Sequence, residues 1–134
     1  MTSRELMAAA ERARHASYSP YSKFAVGAAL LTKSGRVVTG CNVENSSFGL
    51  ACCAERTAVF RAVSEGEREF VAIAVTAGPG RGAAPCGACR QVLHEFAPQL
   101  WVHYHGRGGR IVRRRLSALL VDGFRFPRAP RGGR

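Results

Sequence analysis

The sequence predicts an α/β protein, a three-layer α/β/α sandwich around a mixed, about five-stranded central sheet. Strand-like and helix-like segments alternate along the chain, and its 134 residues suit one domain with a single core. Apolar residues make up 46% of the chain and charged residues 22%, an ordinary globular balance. Strands that alternate with helices favour a sheet covered on both faces. We therefore expect one domain over 1–126 and a basic, disordered tail over 127–134.

The N-terminal part of the chain predicts a helix followed by a β-hairpin. Thr2 and Glu5 have the spacing of a capping box, and the apolar residues after them suit a helix to about residue 16. Ser34-Gly35 lies between two apolar, β-rich runs, which indicates a hairpin turn. The remaining segments of this part are a predicted loop over 17–23, strands over 24–33 and 36–41, and a polar loop over 42–51.

The second half of the chain predicts two further helices separated by a buried strand. Apolar spacing over 53–64 fits a helix that ends near Gly66. Segment 70–76 is typical of a buried strand, and Pro85 opens a helix over 86–96. The shorter elements expected after it are edge strands over 100–104 and 111–112 and a short helix near 116–121.

The charge of the chain raises the question of a nucleic-acid partner. The formal net charge is +11, and nine arginines follow residue 104 with Asp122 as the one acid there. A solvated basic tail that aids solubility explains this clustering, and polyanion binding is the alternative. We accordingly expect no nucleic-acid partner.

The remaining features of composition concern the membrane and the cysteines. No run of about 18 apolar residues occurs, and no apolar stretch follows a basic N-terminus. We expect no membrane partner and a cytoplasmic protein. Five cysteines are an odd number for a disulfide framework. In a reducing compartment, clustered cysteines serve metal binding or catalysis more often than cross-linking.

Three cysteines at two predicted helix starts form a candidate metal site. Cys86 and Cys89 are three residues apart, so their sulfurs face the same way on a helical turn, and Cys53 stands at the start of the other helix. The partial positive charge of a helix N-terminus favours the thiolate that zinc needs. Three protein ligands leave a fourth tetrahedral position open for water, as in catalytic zinc sites.

Two charged residues follow Cys53 directly on the same predicted helix. Glu55 can lie near a zinc-bound water without being a ligand, which makes it the candidate catalytic residue. Arg56 is a candidate donor of hydrogen bonds to the sulfurs. Zinc deaminases combine such a ligand set with a glutamate proton shuttle and a Pro-Cys-x-x-Cys element, which occurs here over 85–89.

Two alternatives remain open for the cysteines. A Cys-x-x-Cys pair also fits a redox pair, or half of a structural zinc site with Cys41 or Cys52 as the fourth ligand. We interpret Cys52 as a core residue, because adjacent helix positions point about 100° apart, and Cys41 as packing at the end of a strand. A non-catalytic, zinc-stabilised binding module is therefore the rival from another class, and it predicts four protein ligands without turnover.

Four segments resemble the small, single-domain cytidine deaminases that assemble as homotetramers. The segments are Pro20-Tyr21-Ser22-Lys23-Phe24, Gly40-Cys41-Asn42-Val43-Glu44-Asn45, Cys53-Ala54-Glu55-Arg56-Thr57-Ala58 and Pro85-Cys86-Gly87-Ala88-Cys89-Arg90-Gln91-Val92-Leu93. The Asn-Val-Glu-Asn segment is similar to the nucleoside enzymes in particular. The resemblance implies zinc-dependent hydrolytic deamination of cytidine and deoxycytidine to uridine and deoxyuridine with release of ammonia, in pyrimidine salvage, with one Zn²⁺ per subunit.

The same resemblance implies roles for individual residues. These are zinc binding by Cys53, Cys86 and Cys89, proton transfer by Glu55, hydrogen bonds to the ribose 3′-hydroxyl from Asn42 and Glu44, packing beside the pyrimidine by Phe24, and recognition of the base by the backbone of Ala54. The alternatives to these substrate-binding roles are a core strand position for Phe24 and hydrogen bonds within a loop for Asn42 and Glu44. Both nucleosides carry the 3′-hydroxyl, so the preference between them stays open.

The resemblance further implies active sites shared between subunits of the homotetramer. Phe48 and a C-terminal aromatic residue, for which Phe124 is our assignment, are expected near the site of a neighbouring subunit. The C-terminal segment departs from the family, because Leu119-Leu120-Val121 stands where Leu-Leu-Pro is usual.

A deaminase that acts on bases within DNA or RNA is the nearer rival. Such enzymes need aromatic stacking surfaces along a groove, whereas this chain has 8% aromatic residues and its basic residues cluster behind the catalytic segments. A small-molecule nucleoside is therefore the expected substrate.

Overall fold

The computed structural model describes residues 1–127 and has the predicted layers, with a sheet between helices. Its elements are α1 (Ser3–Arg14), β1 (Gly27–Thr32), β2 (Val37–Cys41), a 3₁₀ turn (Phe48–Leu50), α2 (Ala54–Ser64), β3 (Phe70–Thr76), α3 (Gly87–Phe96), β4 (Trp101–His105), β5 (Ile111–Arg115) and α4 (Leu116–Leu119). Within the described residues, no helix has the length and apolar character that crossing a membrane requires. Apart from residue 127, the predicted tail lies outside the described residues.

The central sheet has five strands in the order β2-β1-β3-β4-β5. Strands β3 and β4 are parallel and the other neighbours are antiparallel, so the sheet is mixed, as predicted. Helix α3 provides the crossover that a parallel pair needs. The expectation that 100–104 forms an edge strand is wrong, because β5 pairs along the whole of β4. The sequence underestimated β5 because its last three residues are arginines, which carry no apolar strand signal.

Alternate residues of the central strands pack on opposite helical layers. Ala28 and Leu30 of β1 pack in the core beneath α2 and α3, whereas Ala29 joins the cluster beneath α1. Successive side chains of a strand point to opposite faces, so a strand between two layers is apolar at every position. This arrangement explains the continuous apolar runs of β1 and β3.

Three element boundaries differ from the prediction in ways that matter for the site. Strand β1 begins at Gly27, after Lys23 has turned the chain with a φ of 59°, so Phe24 lies outside the sheet and its core-strand alternative is wrong. Helices α2 and α3 each begin one residue later than predicted. Cys53 and Cys86 precede them as N-cap residues with extended backbone. The directions of their side chains therefore do not follow the rotation of about 100° per residue of a helix.

Gly40 allows α2 to lie directly on β2. A Cβ atom there would approach the Ala58 amide nitrogen to 2.5 Å and the Ala54 carbonyl oxygen to 2.7 Å. We expect Gly40→Ala to lower the free energy of unfolding in urea by about 3 kcal/mol, because backbone cannot yield as a side chain can. Gly49→Ala is the control, since its Cβ would meet nothing within 4 Å. Equal effects of the two substitutions would contradict this close packing.

Candidate active site

Three cysteine sulfurs converge where α2 and α3 begin. The Sγ atoms of Cys53 and Cys86 are 3.7 Å apart, those of Cys86 and Cys89 are 3.3 Å apart, and all three lie within 4.8 Å of one another. Tetrahedral zinc with bonds of about 2.3 Å holds thiolates about 3.8 Å apart. The cluster therefore fits zinc. Among residues 1–127, no other group of three such side chains forms a candidate metal site.

The surroundings of the cluster favour ionised sulfur. Both helix N-termini direct partial positive charge towards it. The Cys89 amide donates to the Cys86 sulfur over 3.4 Å, and Arg56 Nη2 donates to the Cys53 sulfur over 3.2 Å. A hydrogen bond from Cys89, followed by that from Arg56, lowers the pKa of Cys53 to about 5. The same Cys53–Cys89 bond, together with burial, raises the pKa of Cys89, so Cys53 ionises before Cys89.

The two remaining cysteines stand apart from the cluster. Cys52 forms a two-bond backbone bridge with Val43, at 2.9 Å each, before α2 begins, and its sulfur accepts from the Thr57 hydroxyl at 3.6 Å. It is only half-buried, so the interpretation of Cys52 as a helical core residue is wrong. The reason is that the helix starts after Cys53 and not before it. Cys41, at the end of β2, is also half-buried and outside the cluster.

Glu55 lies beside the cluster in a buried position, with 4% of its surface exposed. Burial is the main cause that raises its pKa to about 7, and the negative charge of Cys53 acts in the same direction. A carboxyl group whose pKa is close to the working pH can both accept and deliver a proton. The environment of Glu55 therefore suits an acid–base role.

The raised pKa of Glu55 predicts a pH-dependent stability of the metal-free protein. Its pKa rises from 4.5 to about 7, so the folded state holds a proton that the unfolded state has lost between these values. Stability therefore falls as pH rises through this window, by about 3 kcal/mol in total. Glutamine does not titrate, so the free energy of unfolding of Glu55→Gln should not share this fall. Between about pH 4.5 and 7.5, urea unfolding should show the stability of Glu55→Gln, relative to that of the metal-free parent, increasing by about 3 kcal/mol. A stability difference that does not change with pH would contradict the raised pKa.

A pocket of about 400 Å³ lies next to the cluster. It brings together Cys53, Cys86 and Glu55 with the predicted substrate residues Phe24, Asn42, Glu44 and Ala54. Its other lining residues, for which the sequence predicts no role, are Ser22, Val26, Val75, Gly82, Ala83 and Ala84. The loop of small residues before α3 carried no signal, because such residues form a pocket wall mainly with their backbone.

Asn42 holds the loop that carries Phe24. Its Oδ1 accepts from the Val26 amide at 2.9 Å and from the Ser17 hydroxyl, and its Nδ2 donates to the Phe24 carbonyl at 2.8 Å. Asn42 therefore makes the loop hydrogen bonds that were the alternative to substrate binding. One of its two N–H groups is left for a ligand.

Glu44 accepts hydrogen bonds from Tyr21 and Ser22, in the loop before Phe24. One carboxylate oxygen accepts from the amides of Tyr21 at 2.9 Å and Ser22 at 3.2 Å, and the other accepts from the Ser22 hydroxyl. The Ser22 hydroxyl is the main cause that lowers the pKa of Glu44. Glu44 is therefore ionised, and it combines loop hydrogen bonding with a position in the pocket wall.

Phe48 and Phe124 do not line the pocket of their own chain. Phe48 lies in the 3₁₀ turn with 74% of its surface exposed, and its ring contacts that of Tyr21 at a centroid distance of 5.6 Å. Phe124 is 67% exposed, and its backbone exchanges two hydrogen bonds with the Gln91 side chain, at 2.7 and 3.2 Å. Both rings are free to contact another molecule.

Comparisons with known proteins agree with this geometry. Residues 1–105 match the family model described as the cytidine and deoxycytidylate deaminase zinc-binding region. The chain is 58% identical over 93 residues to the cytidine deaminase of Halalkalibacterium halodurans, which covers 69% of this chain and 70% of that protein. It is 46% identical over 123 residues to the cytidine deaminase of Mycobacterium tuberculosis, covering 91% and 89% of the two chains.

A solved structure extends the likeness to the fold. The crystal structure of cytidine deaminase from Burkholderia pseudomallei superposes with a TM-score of 0.86 and 50% identity, covering 92% of this chain and 100% of that one. The matched residues include the cysteine cluster and the pocket beside it. On fold, sequence and site together, the chain belongs to the cytidine and deoxycytidylate deaminase family.

Proposed function

We propose that the protein hydrolyses free cytidine and deoxycytidine, releasing ammonia and the corresponding uridine or deoxyuridine. The observation that carries this proposal is the recess of about 400 Å³, which is lined by a buried carboxyl group and by two thiols of the three-cysteine cluster. This volume is in the range of small-molecule sites. The relatives named cytidine deaminase support the same reaction.

The chain's residues divide the chemistry between them. Zinc, when held by the three thiolates, supplies an activated water molecule as the nucleophile at neutral pH. Glu55 takes a proton from the nucleophile and delivers it to N3 of the base, which makes C4 open to attack. It then carries the second proton, from the hydroxyl group now bonded to C4, to the amino group. The amino group leaves as ammonia, and the oxygen on C4 becomes the carbonyl oxygen of the product. Arg56, through its hydrogen bond to Cys53, offsets part of the negative charge of three thiolates.

The pocket wall supplies the contacts for a nucleoside. Phe24, 39% exposed, offers a ring face to the flat pyrimidine, and the backbone of Ala54 lies where it can bind the polar edge of the base. The Glu44 carboxylate retains lone pairs for the ribose 3′-hydroxyl, and Asn42 retains one N–H donor. The loop bonds of both residues hold these groups in place before the substrate arrives.

Glu44→Gln is expected to weaken substrate binding more than turnover. Loss of a hydrogen bond to a charged group costs about 1.5–3 kcal/mol, so the KM for cytidine should rise by at least about tenfold, with a smaller change in kcat. Steady-state kinetics on the zinc-loaded variant measure both constants. Glu69→Gln, which removes an acid that does not line this pocket, is the control. A loss confined to kcat would argue against a binding role.

The reaction itself is tested by the ultraviolet absorbance of cytidine and of deoxycytidine incubated with zinc-loaded protein. We expect each spectrum to change to that of the uracil product, and the two rates give the sugar preference. A cytosine-containing oligonucleotide is assayed in parallel. Activity on the oligonucleotide with none on either nucleoside would overturn the proposal in favour of a nucleic-acid deaminase. No reaction in a zinc-verified sample would also overturn it.

We also propose a cytoplasmic homotetramer with shared active sites and one zinc ion per subunit. Large apolar side chains stand exposed near the pocket and on α2, among them Phe48, Leu50 and Phe60, and such surfaces are commonly covered by a partner. In the assembly, Phe48 and Phe124 contact the pocket of a neighbouring subunit. Free thiols suit a reducing compartment. Light scattering should give four times the chain mass of 14.4 kDa. A monomer would contradict the shared sites.

A further inference from the structure

The β4–β5 hairpin, residues 101–115, carries a group of arginines without carboxylate partners. Its five arginines are Arg107, Arg110, Arg113, Arg114 and Arg115. The sequence from 96 to 121 contains no acid, and none of the five forms an ion pair with any residue of the described chain 1–127. Arg36 and Arg61 differ from them, because both pair with Glu65.

These arginines lie on regular structure and not in a solvated tail. The clustering of arginines after residue 104 predicts a solvated tail, but the structure places three of the five on β5 and two in the turn that joins β5 to β4. Strand β5 is in antiparallel register with β4 from Trp101–Arg115 to His105–Ile111. Their backbone positions are therefore fixed by the sheet. Arginines that are held in place by a sheet and have no carboxylate partner bind an anion more strongly than the same arginines on a flexible tail. The reason is that the protein loses less conformational entropy when the anion binds.

Two of the guanidinium groups stack on one indole ring. The guanidinium carbons of Arg113 and Arg115 lie 3.6 and 3.8 Å from the centroid of the Trp101 ring. Alternate residues of a strand share a face, which places both arginines on the Trp101 side of the sheet. Stacking orients each guanidinium plane. Nη1 of Arg115 donates to the Gln99 carbonyl at 2.7 Å, and the other N–H groups of the pair are available for a phosphate. Two guanidinium carbons this close to the centroid cannot share one face of the ring, so the indole lies between the two cations. Two cations held in this way suit a chain of phosphates better than a single anion.

The turn and the edge of the hairpin add further features of a nucleic-acid surface. The turn reads Gly106-Arg107-Gly108-Gly109-Arg110, with φ values of 84° and 82° at Gly108 and Gly109. Arg-Gly-Gly segments occur in proteins that bind single strands, where arginines contact phosphates and planar groups stack on bases. Strand β5 is also an edge of the sheet, so one side of its backbone carries unpaired amide groups.

We propose that the β4–β5 hairpin binds single-stranded nucleic acid through its phosphates, at a surface separate from the deaminase pocket. None of the hairpin residues lines that pocket, which borders the end of β3 and the starts of α2 and α3. Planar guanidinium forks match phosphate oxygens, and the outer faces of the two stacked guanidinium groups are planar surfaces on which bases can lie. The inference revises the expectation of no nucleic-acid partner, and it leaves the nucleoside as the substrate.

The test is fluorescence anisotropy of a labelled single-stranded oligonucleotide of about 20 nucleotides with the full-length, zinc-loaded protein. Titrations between about 50 and 200 mM salt give the dependence of affinity on salt. Removal of two phosphate contacts should lower the slope of log affinity against log salt by about 1.4. We expect this change, with at least about tenfold weaker binding, in Arg113→Gln/Arg115→Gln.

Arg36→Gln/Arg61→Gln is the matched control, because it removes the same charge from arginines already paired with Glu65. We expect it to bind almost as the parent does, and both double variants to keep full cytidine deamination. Equal weakening in the two variants would overturn the proposal, since net charge alone would then explain binding. Absence of binding at about 50 mM salt would overturn it too. Binding to anionic lipid vesicles or to an acidic peptide, with none to the oligonucleotide, would assign the surface to another partner.

Discussion

Glu55→Gln is expected to lower turnover of cytidine by about 10³- to 10⁴-fold while zinc stays bound. Glutamine keeps the size of the side chain in its buried position, but it cannot accept a proton and pass it on. One acid–base group contributes about 10²–10⁴ to a rate, and here the same carboxyl group is assigned both proton transfers. The effect should therefore lie in the upper part of that range.

Two measurements on Glu55→Gln separate its proposed role from that of a metal ligand. The absorbance assay gives turnover, and a chromogenic chelator gives zinc per chain after denaturation. Glu44→Gln is the matched control, because it changes the other carboxylate of the same pocket and should retain most of its kcat. Turnover within tenfold of the parent would show that Glu55 is not the proton carrier. Loss of zinc along with turnover would indicate that Glu55 holds the metal.

Cys89→Ser is expected to abolish zinc binding and activity together. Cys89 is fully buried, with 0% of its surface exposed, so its sulfur cannot be replaced by a neighbouring side chain without repacking α3. Binding of a structural or catalytic metal contributes to the free energy of folding. The parent protein should therefore unfold at a lower temperature after treatment with a chelator, whereas Cys89→Ser should start from that lower temperature and not respond.

Cys52→Ser and Cys41→Ser are the controls for this prediction. Both remove a thiol of the same chain that lies outside the cluster, so each variant should keep one zinc ion per chain and its activity. Zinc content, the midpoint of thermal unfolding with and without chelator, and the absorbance assay are measured on all four proteins. Loss of zinc in Cys52→Ser would restore the alternative of a site with four thiolates.

Features that depend on residues within one or two turns of chain were predictable from the sequence. The capping box of α1 forms as expected, with Thr2 and Glu5 exchanging backbone-to-side-chain hydrogen bonds of 2.8 and 3.1 Å. Cys86 caps the N-terminus of α3 and Cys89 follows three residues later, so the local capping geometry brings their sulfurs to 3.3 Å. The alternation of segments predicted a mixed sheet between helical layers. The resemblance supplied the four predicted substrate residues, all of which line the pocket.

Features that depend on residues distant in the chain were decided by the tertiary structure. The sulfur of Cys53 meets that of Cys86 because α2 and α3 begin at the same end of the sheet, which no local spacing specifies. The hydrogen bonds of Asn42 to Phe24 join two loops that the hairpin brings together. The burial that raises the pKa of Glu55 comes from surrounding elements and not from its sequence neighbours.

The same distinction accounts for the errors. The interior position of β4 depends on a fifth strand that pairs with it, and an arginine-rich strand is recognisable only by that pairing. The sequence predicts a solvated tail for the hairpin arginines for the same reason, because only their pairing with β4 identifies them as part of a strand. The helix caps, the strand alternation and the thiol chemistry of the candidate metal ligands could be predicted from the sequence, because these follow from local geometry and side-chain chemistry. Which of the five cysteines meet could not be predicted in this way. The order of the strands, the contact between the loops of Asn42 and Phe24, and the burial of Glu55 depend on the tertiary structure. They arise only when segments distant in the chain pack together.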